Sequence, residues 1–182
     1  MRTLGTILAG GQSRRFGTDK ADAMLAGRTL LAHAVEALRP QGDAIIIVGR
    51  NTALATSVAD WPRPAMGPLG GIAGALRYAA ANGFDQLLSL PVDSVLPLPN
   101  LRHRLEPAPA FAEDQPVIGL WPVAALPALQ DMLSQDGRHS MRAFAERIGA
   151  RPVAGLSPEN INTVEDLRRI ETEMGVSYGH GE

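Results

Sequence analysis

Ala44 to Val48 is an unbroken apolar segment with the sequence AIIIV. A strand that is apolar at every position is typical of a parallel sheet whose two faces are both covered by helices. Strand-like and helix-like segments alternate along the rest of the chain. This alternation predicts an α/β fold with a mostly parallel central sheet.

The predicted elements follow one another without an internal repeat. Strands are predicted at 2–8, 44–48 and 85–90, and helices at 30–38, 72–81, 126–133, 141–148 and 164–172. Prolines interrupt the pattern between 97 and 116, so we interpret that stretch as a mobile connection. A chain of 182 residues, 45% of them hydrophobic, can bury one good core. We therefore predict a single domain over residues 1–182 with a less regular C-terminal third.

Charge and composition exclude several classes of protein. A net charge of −2 and a pI near 6.1 give no overall attraction to nucleic acid. The chain has no cysteine, which excludes disulfides, thiolate metal sites and cysteine nucleophiles. No apolar run reaches the roughly 20 residues of a membrane helix, and no secretory signal precedes the first predicted strand. We expect a cytoplasmic protein that binds neither nucleic acid nor membrane.

A glycine-rich loop with three cations follows the first predicted strand. Gly10 and Gly11 let a ligand approach the main chain, so that amide N–H groups can point at phosphate oxygens. Arg14, Arg15 and Lys20 add the charge needed to hold a triphosphate and to stabilise its cleavage. The spacing fits neither a Walker A loop nor the GxGxxG fingerprint. The alternative is a glycine-rich turn with solvated arginines.

The order of residues in this loop resembles a family signature. LAGGQSRRFGTDK, residues 8–20, is similar to the LAGGxSxRMGxDK motif of the molybdenum cofactor guanylyltransferases, with Phe16 at the usual methionine. Related cytidylyltransferases usually have LAAG instead. The resemblance implies a three-layer Rossmann-like nucleotidyltransferase fold. It implies nucleotide binding by Leu8, Ala9, Gly10, Gly11 and Lys20, and catalysis by Lys20, Arg14 and Arg15.

Asp93 follows the apolar strand predicted at 85–90 and would lie at the carboxyl edge of the sheet, where open α/β sheets bind ligands. One carboxylate together with substrate phosphates is a common Mg²⁺ site. A turn or cap residue is the alternative. The segment from Pro91 to Pro97 resembles the family's PxDxPxLP element, with Val95 at the second proline. The resemblance implies that Asp93 binds the metal and the nucleotide and acts in catalysis.

The segment GPLGG, residues 67–71, predicts a turn that opens onto a helix, whose first N–H groups suit an anion or a base edge. It resembles the family's GPLAG element. Asp60 matches the spacing of a family aspartate that contacts the nucleotide, and a carboxylate can accept the two N–H donors on guanine. The resemblance thus assigns Asp60 and Gly67 to nucleotide binding. A tight structural turn and a solvated loop aspartate are the alternatives.

The segment NINTVEDL begins at Asn160 and is close to the family's NxNTPEDL. Thr163 and Asp166 have the spacing of a helix N-cap and its capping-box partner. Asn160 and Asn162 would project to one side of an extended segment. In the family this element returns to the active site, so the resemblance implies that both asparagines bind the acceptor substrate.

The implied reaction is transfer of GMP from GTP to the terminal phosphate of molybdopterin, or of its metal-loaded form, with release of pyrophosphate and with Mg²⁺ as cofactor. Other molybdenum cofactor biosynthesis proteins and recipient molybdoenzymes are the implied protein partners. Two alternatives stay open: a cytidylyltransferase or another enzyme of the same fold, and an accessory protein that binds the nucleotide or cofactor without catalysis. Val48 and Gln115 depart from the family's usual asparagine and histidine, and the sequence leaves open whether Arg50 or Asn51 replaces the asparagine.

Overall fold

The structure is a computed structural model that describes residues 1–10, 19–94, 99–135, 137, 139–156 and 161–173. Its strands are β1 (Thr3–Leu8), β2 (Met24–Leu25), β3 (Arg28–Thr29), β4 (Ala44–Val48), β5 (Thr56–Val58), β6 (Gln86–Pro91), β7 (Ala110–Ala112), β8 (Gln115–Pro122) and β9 (Arg151–Val153). Its α-helices are α1 (Leu30–Leu38), α2 (Gly67–Ala81), α3 (Leu101–Leu105), α4 (Leu126–Ser134), α5 (Met141–Arg147) and α6 (Val164–Glu173).

The described residues form a seven-stranded sheet in the order β5-β4-β1-β6-β8-β7-β9. Strands β5, β4, β1 and β6 pair in parallel. Strand β8 runs antiparallel to both of its neighbours, and β9 pairs in parallel with β7. The prediction of a mostly parallel sheet is confirmed, with β8 as the one reversed strand of this sheet.

Alternate residues of the central strands point into two separate cores. In β4, Ile46 and Val48 pack with α2, α4 and α5, whereas Ile47 packs on the opposite face with α1 and α3. All three side chains are buried, as predicted for a strand covered on both sides. The described helices and sheet therefore form three layers, and the predicted fold class is confirmed.

Helix α2 starts earlier than predicted. It begins at Gly67, so the GPLGG segment forms its first turn and is not a loop before it. Proline is compatible with the first turn of a helix, where its missing N–H is not needed. Gly74 is required by packing, because a Cβ atom there would lie 2.1 Å from the carbonyl oxygen of Ala59. Gly74, just after this segment, thus lets the helix approach the chain that leaves β5 closely.

The interpretation of 97–116 as a mobile connection is wrong for most of that stretch. Helix α3 and strand β7 lie within it, and β8 begins at its end. Leu101 and Leu105 are buried in the core beside α1. Pro109 lies just before β7, where its carbonyl accepts a hydrogen bond from the N–H of Arg151. Pro99 and Pro107 also lie outside the helices and strands, and Pro116 is the second residue of β8, positions where a missing N–H is tolerated.

A small third core joins the two ends of the described chain. Leu25 of β2 and Leu30 of α1 pack against Ile161 and, from α6, Leu167 and Ile170. The N–H of Ala26, in the β2–β3 turn, also donates to Glu171 Oε1 at 2.9 Å. None of the helices in the described ranges has the length and apolarity needed to cross a bilayer.

Candidate active site

The carboxyl ends of β1, β4 and β6 meet at one edge of the sheet, and a cavity of about 290 Å³ opens there. Most of the site residues predicted from the sequence line this cavity, namely Leu8, Ala9, Gly10, Lys20, Asp60, Gly67 and Asp93. Gly11, Arg14, Arg15 and Asn160, which were also predicted, lie outside the described residues. The described candidates thus come together from separate parts of the chain, at the edge where open α/β sheets bind ligands.

Lys20 is held at the edge of this cavity by two oxygens. Its Nζ atom lies 2.9 Å from Asp93 Oδ2 and 2.9 Å from Asn162 Oδ1. The side chains of Lys20 and Asp93 are only 13% and 23% exposed, so their ion pair is largely shielded from solvent. Lys20 therefore contacts both Asp93 and Asn162, which the family resemblance assigned to the metal and to the acceptor.

Asn162 is placed by the N-terminus of α6. The N–H groups of Asn162 and Thr163 each donate to Asp166 Oδ2 at 2.9 Å, and the N–H of Asp166 donates to Thr163 Oγ1 at 3.1 Å. This is the predicted capping box. These bonds lower the pKa of Asp166 below its usual value, and the bond from the N–H of Asn162 has the largest effect. The N–H of Ile161 also donates to the carbonyl oxygen of Asp93 at 3.3 Å, which ties the segment to the end of β6.

Asp60 lies on the other side of the cavity. Its Oδ2 atom accepts a hydrogen bond from the N–H of Ala65 at 3.1 Å, which fixes the carboxylate just before α2. Asp60, Gly67 and Gly10 also line an adjoining cavity of about 770 Å³. The two cavities share these three residues and adjoin at the sheet edge, and together they are termed the cleft.

The backbone of Gly10 touches the backbone of Gly49. A Cβ atom on Gly10 would lie 3.2 Å from Gly49 Cα, and one on Gly49, where φ is +82°, would lie 2.6 Å from Gly10 Cα. The chains leaving β1 and β4 can approach this closely because neither residue has a side chain. This contact fixes the start of the glycine-rich loop against β4.

Sequence reasoning missed the apolar wall of the cavity. Pro68, Gly71, Val92 and Val117 line it, and Val48, where the family usually has asparagine, forms part of the same wall. Apolar residues next to predicted strands are indistinguishable from core residues in a single sequence. Only the sheet order, which brings β8 beside β6, reveals Val117 as a lining residue.

A mostly parallel sheet with a glycine backbone, a lysine and an aspartate gathered at its carboxyl edge is typical of nucleotide-binding α/β enzymes, the class to which nucleotidyltransferases belong. The model of the MobA-like NTP transferase domain matches residues 5–151. The chain belongs to this family.

Curated relatives cover nearly the whole chain. It is 40% identical to a molybdenum cofactor guanylyltransferase from Cereibacter sphaeroides, over 94% of this chain and 97% of the relative. It is 38% identical to one from Acidiphilium cryptum, over 91% and 92%. The solved structure of molybdopterin-guanine dinucleotide biosynthesis protein A from Archaeoglobus fulgidus has the same fold. It covers 94% of this chain and 98% of that one, with a TM-score of 0.77 and 23% identity. The family resemblance seen in the sequence is confirmed.

Proposed function

We propose that this protein transfers GMP from GTP to the terminal phosphate of molybdopterin, or of its molybdenum-loaded form, and releases pyrophosphate. The contact of Lys20 with Asp93 and Asn162 at the sheet edge carries this proposal, because it joins a phosphate-binding cation to a metal-type carboxylate. The guanylyltransferase relatives, similar over nine-tenths of both chains, support the choice of GTP and of this acceptor. Other molybdenum cofactor biosynthesis proteins and the recipient molybdoenzymes are the protein partners that this role implies. The enzyme would work in the cytoplasm.

The nucleotide lies along the cleft between the two cavities. The backbone from Leu8 to Gly11 and the side chain of Lys20 bind the phosphates. Asp60 and Gly67 bind the guanine end, because a carboxylate accepts from adjacent N–H donors that cytosine does not present in that form. The bond from Ala65 to Asp60 supports this role, since it holds the carboxylate in one orientation.

The chemistry requires positioning more than proton transfer. A phosphate oxygen of the acceptor attacks the α-phosphorus of GTP, one P–O bond forms, and the bond to the β-phosphate breaks as pyrophosphate leaves. The acceptor phosphate is anionic at neutral pH, so a strong general base is unnecessary. Lys20, Arg14 and Arg15 stabilise the charge on the transferring and leaving phosphates, and Asn160 and Asn162 hold the acceptor. Residues 1–182 act as one domain whose C-terminal third contributes to the acceptor site.

The donor set at Asp93 suits Mg²⁺. Asp93 Oδ2 and Asn162 Oδ1 are hard oxygen ligands that already converge on one positive charge, the Lys20 ammonium. Within the described ranges no group of three His, Cys, Asp or Glu side chains comes together, so Asp93 would bind the ion jointly with substrate phosphates. Magnesium bound there would withdraw charge from the α-phosphate and the leaving pyrophosphate.

Calorimetry with GTP, CTP, ATP and UTP, each with and without Mg²⁺, tests the proposal. We expect GTP to bind most tightly and its affinity to increase with Mg²⁺. An Asp60→Asn variant should lose part of the preference for GTP and keep its affinity for inorganic triphosphate. Preference for CTP would instead indicate the cytidylyltransferase activity. GTP binding without pyrophosphate release in the presence of molybdopterin would indicate a non-catalytic accessory protein.

A further inference from the structure

Arg50 lines the larger of the two cavities and makes two ion pairs there that the proposed reaction does not use. It follows Gly49 at the end of β4, and its Nη1 atom lies 2.7 Å from Asp19 Oδ2. Its Nη2 atom pairs with Asp22 Oδ2. Asp19 and Asp22 lie on either side of Lys20 in the chain, at the two ends of the short 3₁₀ turn that carries it. One arginine therefore connects β4 to both ends of the segment that presents Lys20.

The position of Arg50 is set by the backbone. Gly49 adopts a positive φ and packs against Gly10, so the chain leaving β4 lies in contact with the start of the glycine-rich loop. The side chain of Arg50 is 22% exposed and is thus partly buried. The side chains of Asp19 and Asp22 are more exposed. Because both carboxylates are exposed, we assign the two pairs a role in placing the turn and not a large contribution to stability.

Arg50 neutralises two carboxylates that would otherwise place negative charge beside Lys20. Asp19 is needed locally, because its Oδ1 atom accepts the N–H of Ala21 at 3.1 Å and caps the turn. Two negative charges beside Lys20 would repel a triphosphate and would compete with Asp93 for the ammonium. With both carboxylates bound to Arg50, Lys20 points to Asp93 and Asn162 instead.

We propose that Arg50 is a positioning residue for Lys20. It holds the turn of residues 20–22 against β4 and neutralises Asp19 and Asp22, so that the ammonium of Lys20 faces the phosphate site. This inference rests on the proposed role of the cleft in binding GTP.

The test compares Arg50→Ala with Arg147→Ala. Arg147 also pairs with an aspartate, Asp131, but on helices α4 and α5, away from the cleft. We expect Arg50→Ala to lower kcat/KM for GTP by between about tenfold and a hundredfold, as a small misplacement of a phosphate-binding group does. Arg147→Ala should leave it unchanged. Arg50→Lys should recover only part of the loss, because one ammonium does not have the fork that lets a guanidinium bind two carboxylates.

A second measurement follows Lys20 directly. Lys20 is the only lysine in the sequence, so reductive methylation can modify it and the N-terminal amine alone. The N-terminal amine serves as an internal reference in the same sample. We expect Lys20 to react several-fold faster in Arg50→Ala than in the wild type or in Arg147→Ala, as measured by peptide mass spectrometry. The N-terminal amine is exposed in the folded protein and corrects only for reagent and reaction time, so thermal melts of both variants are needed to exclude a global loss of stability.

Charge neutralisation is tested by Arg50→Ala combined with Asp22→Asn. Removing one of the two carboxylates should restore part of the affinity for GTP, and a failure to restore any would overturn the electrostatic role. Equal GTP kinetics and equal Lys20 labelling in Arg50→Ala and Arg147→Ala would overturn the proposal altogether. If the wild type does not bind GTP, the proposed function fails, yet the labelling rates still decide whether Arg50 positions Lys20.

Discussion

Lys20 and Asp93 are 73 positions apart in the chain, yet their charged atoms lie 2.9 Å from each other. Each charge therefore has a partner before any substrate arrives. In the proposed function, a substrate phosphate would replace Asp93 as the anionic partner of Lys20 and would leave Asp93 available to a metal ion. This exchange keeps the local charge balanced, which reduces the desolvation cost of binding.

Lys20→Ala should therefore impair transfer much more than folding. We expect turnover to fall by about 10²–10³, because removing one preorganised group that stabilises transition-state charge has an effect of that size. Pyrophosphate release under saturating GTP and acceptor measures it. A thermal melt shows whether the variant is folded, and turnover at the wild-type rate in a folded variant would contradict the assigned role.

Asp166 gives the site a predictable response to acid. Its pKa is lowered from 3.8, first by the N–H of Asn162 and next by Thr163. A carboxyl whose pKa is lower in the folded state stabilises that state fully above the unfolded pKa, and the contribution disappears as the pH falls through the folded pKa.

The difference in melting temperature between the wild type and Asp166→Asn should thus be constant from about pH 8 to pH 5 and shrink below about pH 4. Thermal melts over this range measure it. A difference that grows as the pH falls would show that the charged carboxylate does not stabilise the cap.

Helix α2 illustrates how packing between elements overrides local preference. Glycine is unfavourable inside a helix by about 1 kcal/mol relative to alanine. Gly74 is nevertheless buried there, because the carbonyl of Ala59 occupies the space of a side chain. The same close approach brings the start of the helix to Asp60 and the cleft.

Gly74→Ala should destabilise the protein by about 1–3 kcal/mol, the usual cost of an overpacked core, although alanine favours a helix. Ala80, exposed on the same helix, provides the control, since Ala80→Gly should cost about 1 kcal/mol through helix preference alone. Urea denaturation measures both. A more stable Gly74→Ala variant would contradict the packing argument.

At the scale of the molecule, two large cores cover the sheet, and the third, smaller core attaches α6. The residues proposed to bind the nucleotide lie on the sheet edge, whereas Asn162 depends on α6. A substitution that weakens the third core should therefore lower turnover while leaving the affinity for GTP nearly unchanged.

Ile170→Ala tests this division, because Ile170 is buried in the third core. We expect GTP affinity within about threefold of the wild type and a turnover lowered at least tenfold, since the positioning of Asn162 is lost when α6 detaches. Ile118→Ala, in a main core, should instead lower the free energy of unfolding by about 2–5 kcal/mol. An equal loss of binding and turnover in Ile170→Ala would contradict the division.

The sequence was sufficient for the elements whose pattern is local. Helix α1 and strand β4 have the predicted bounds, and the capping box of α6 is present. The sequence was insufficient for features that depend on contacts between residues far apart in the chain. The reversal of β8 leaves no periodic signal. The sequence singled out Arg50 only as a possible replacement for the family asparagine, and its pairing with the turn that carries Lys20 required the structure.

Contacts across the chain also set the order in which the site can form during synthesis. The Lys20–Asn162 contact spans 142 positions, so the ribosome exposes the cation long before its second oxygen ligand. The sheet edge with Lys20 and Asp93 can form on the nascent chain, but Asn162 arrives with the last described helix. If the proposed function holds, a nascent chain can therefore bring Lys20 and Asp93 together before Asn162 completes the site.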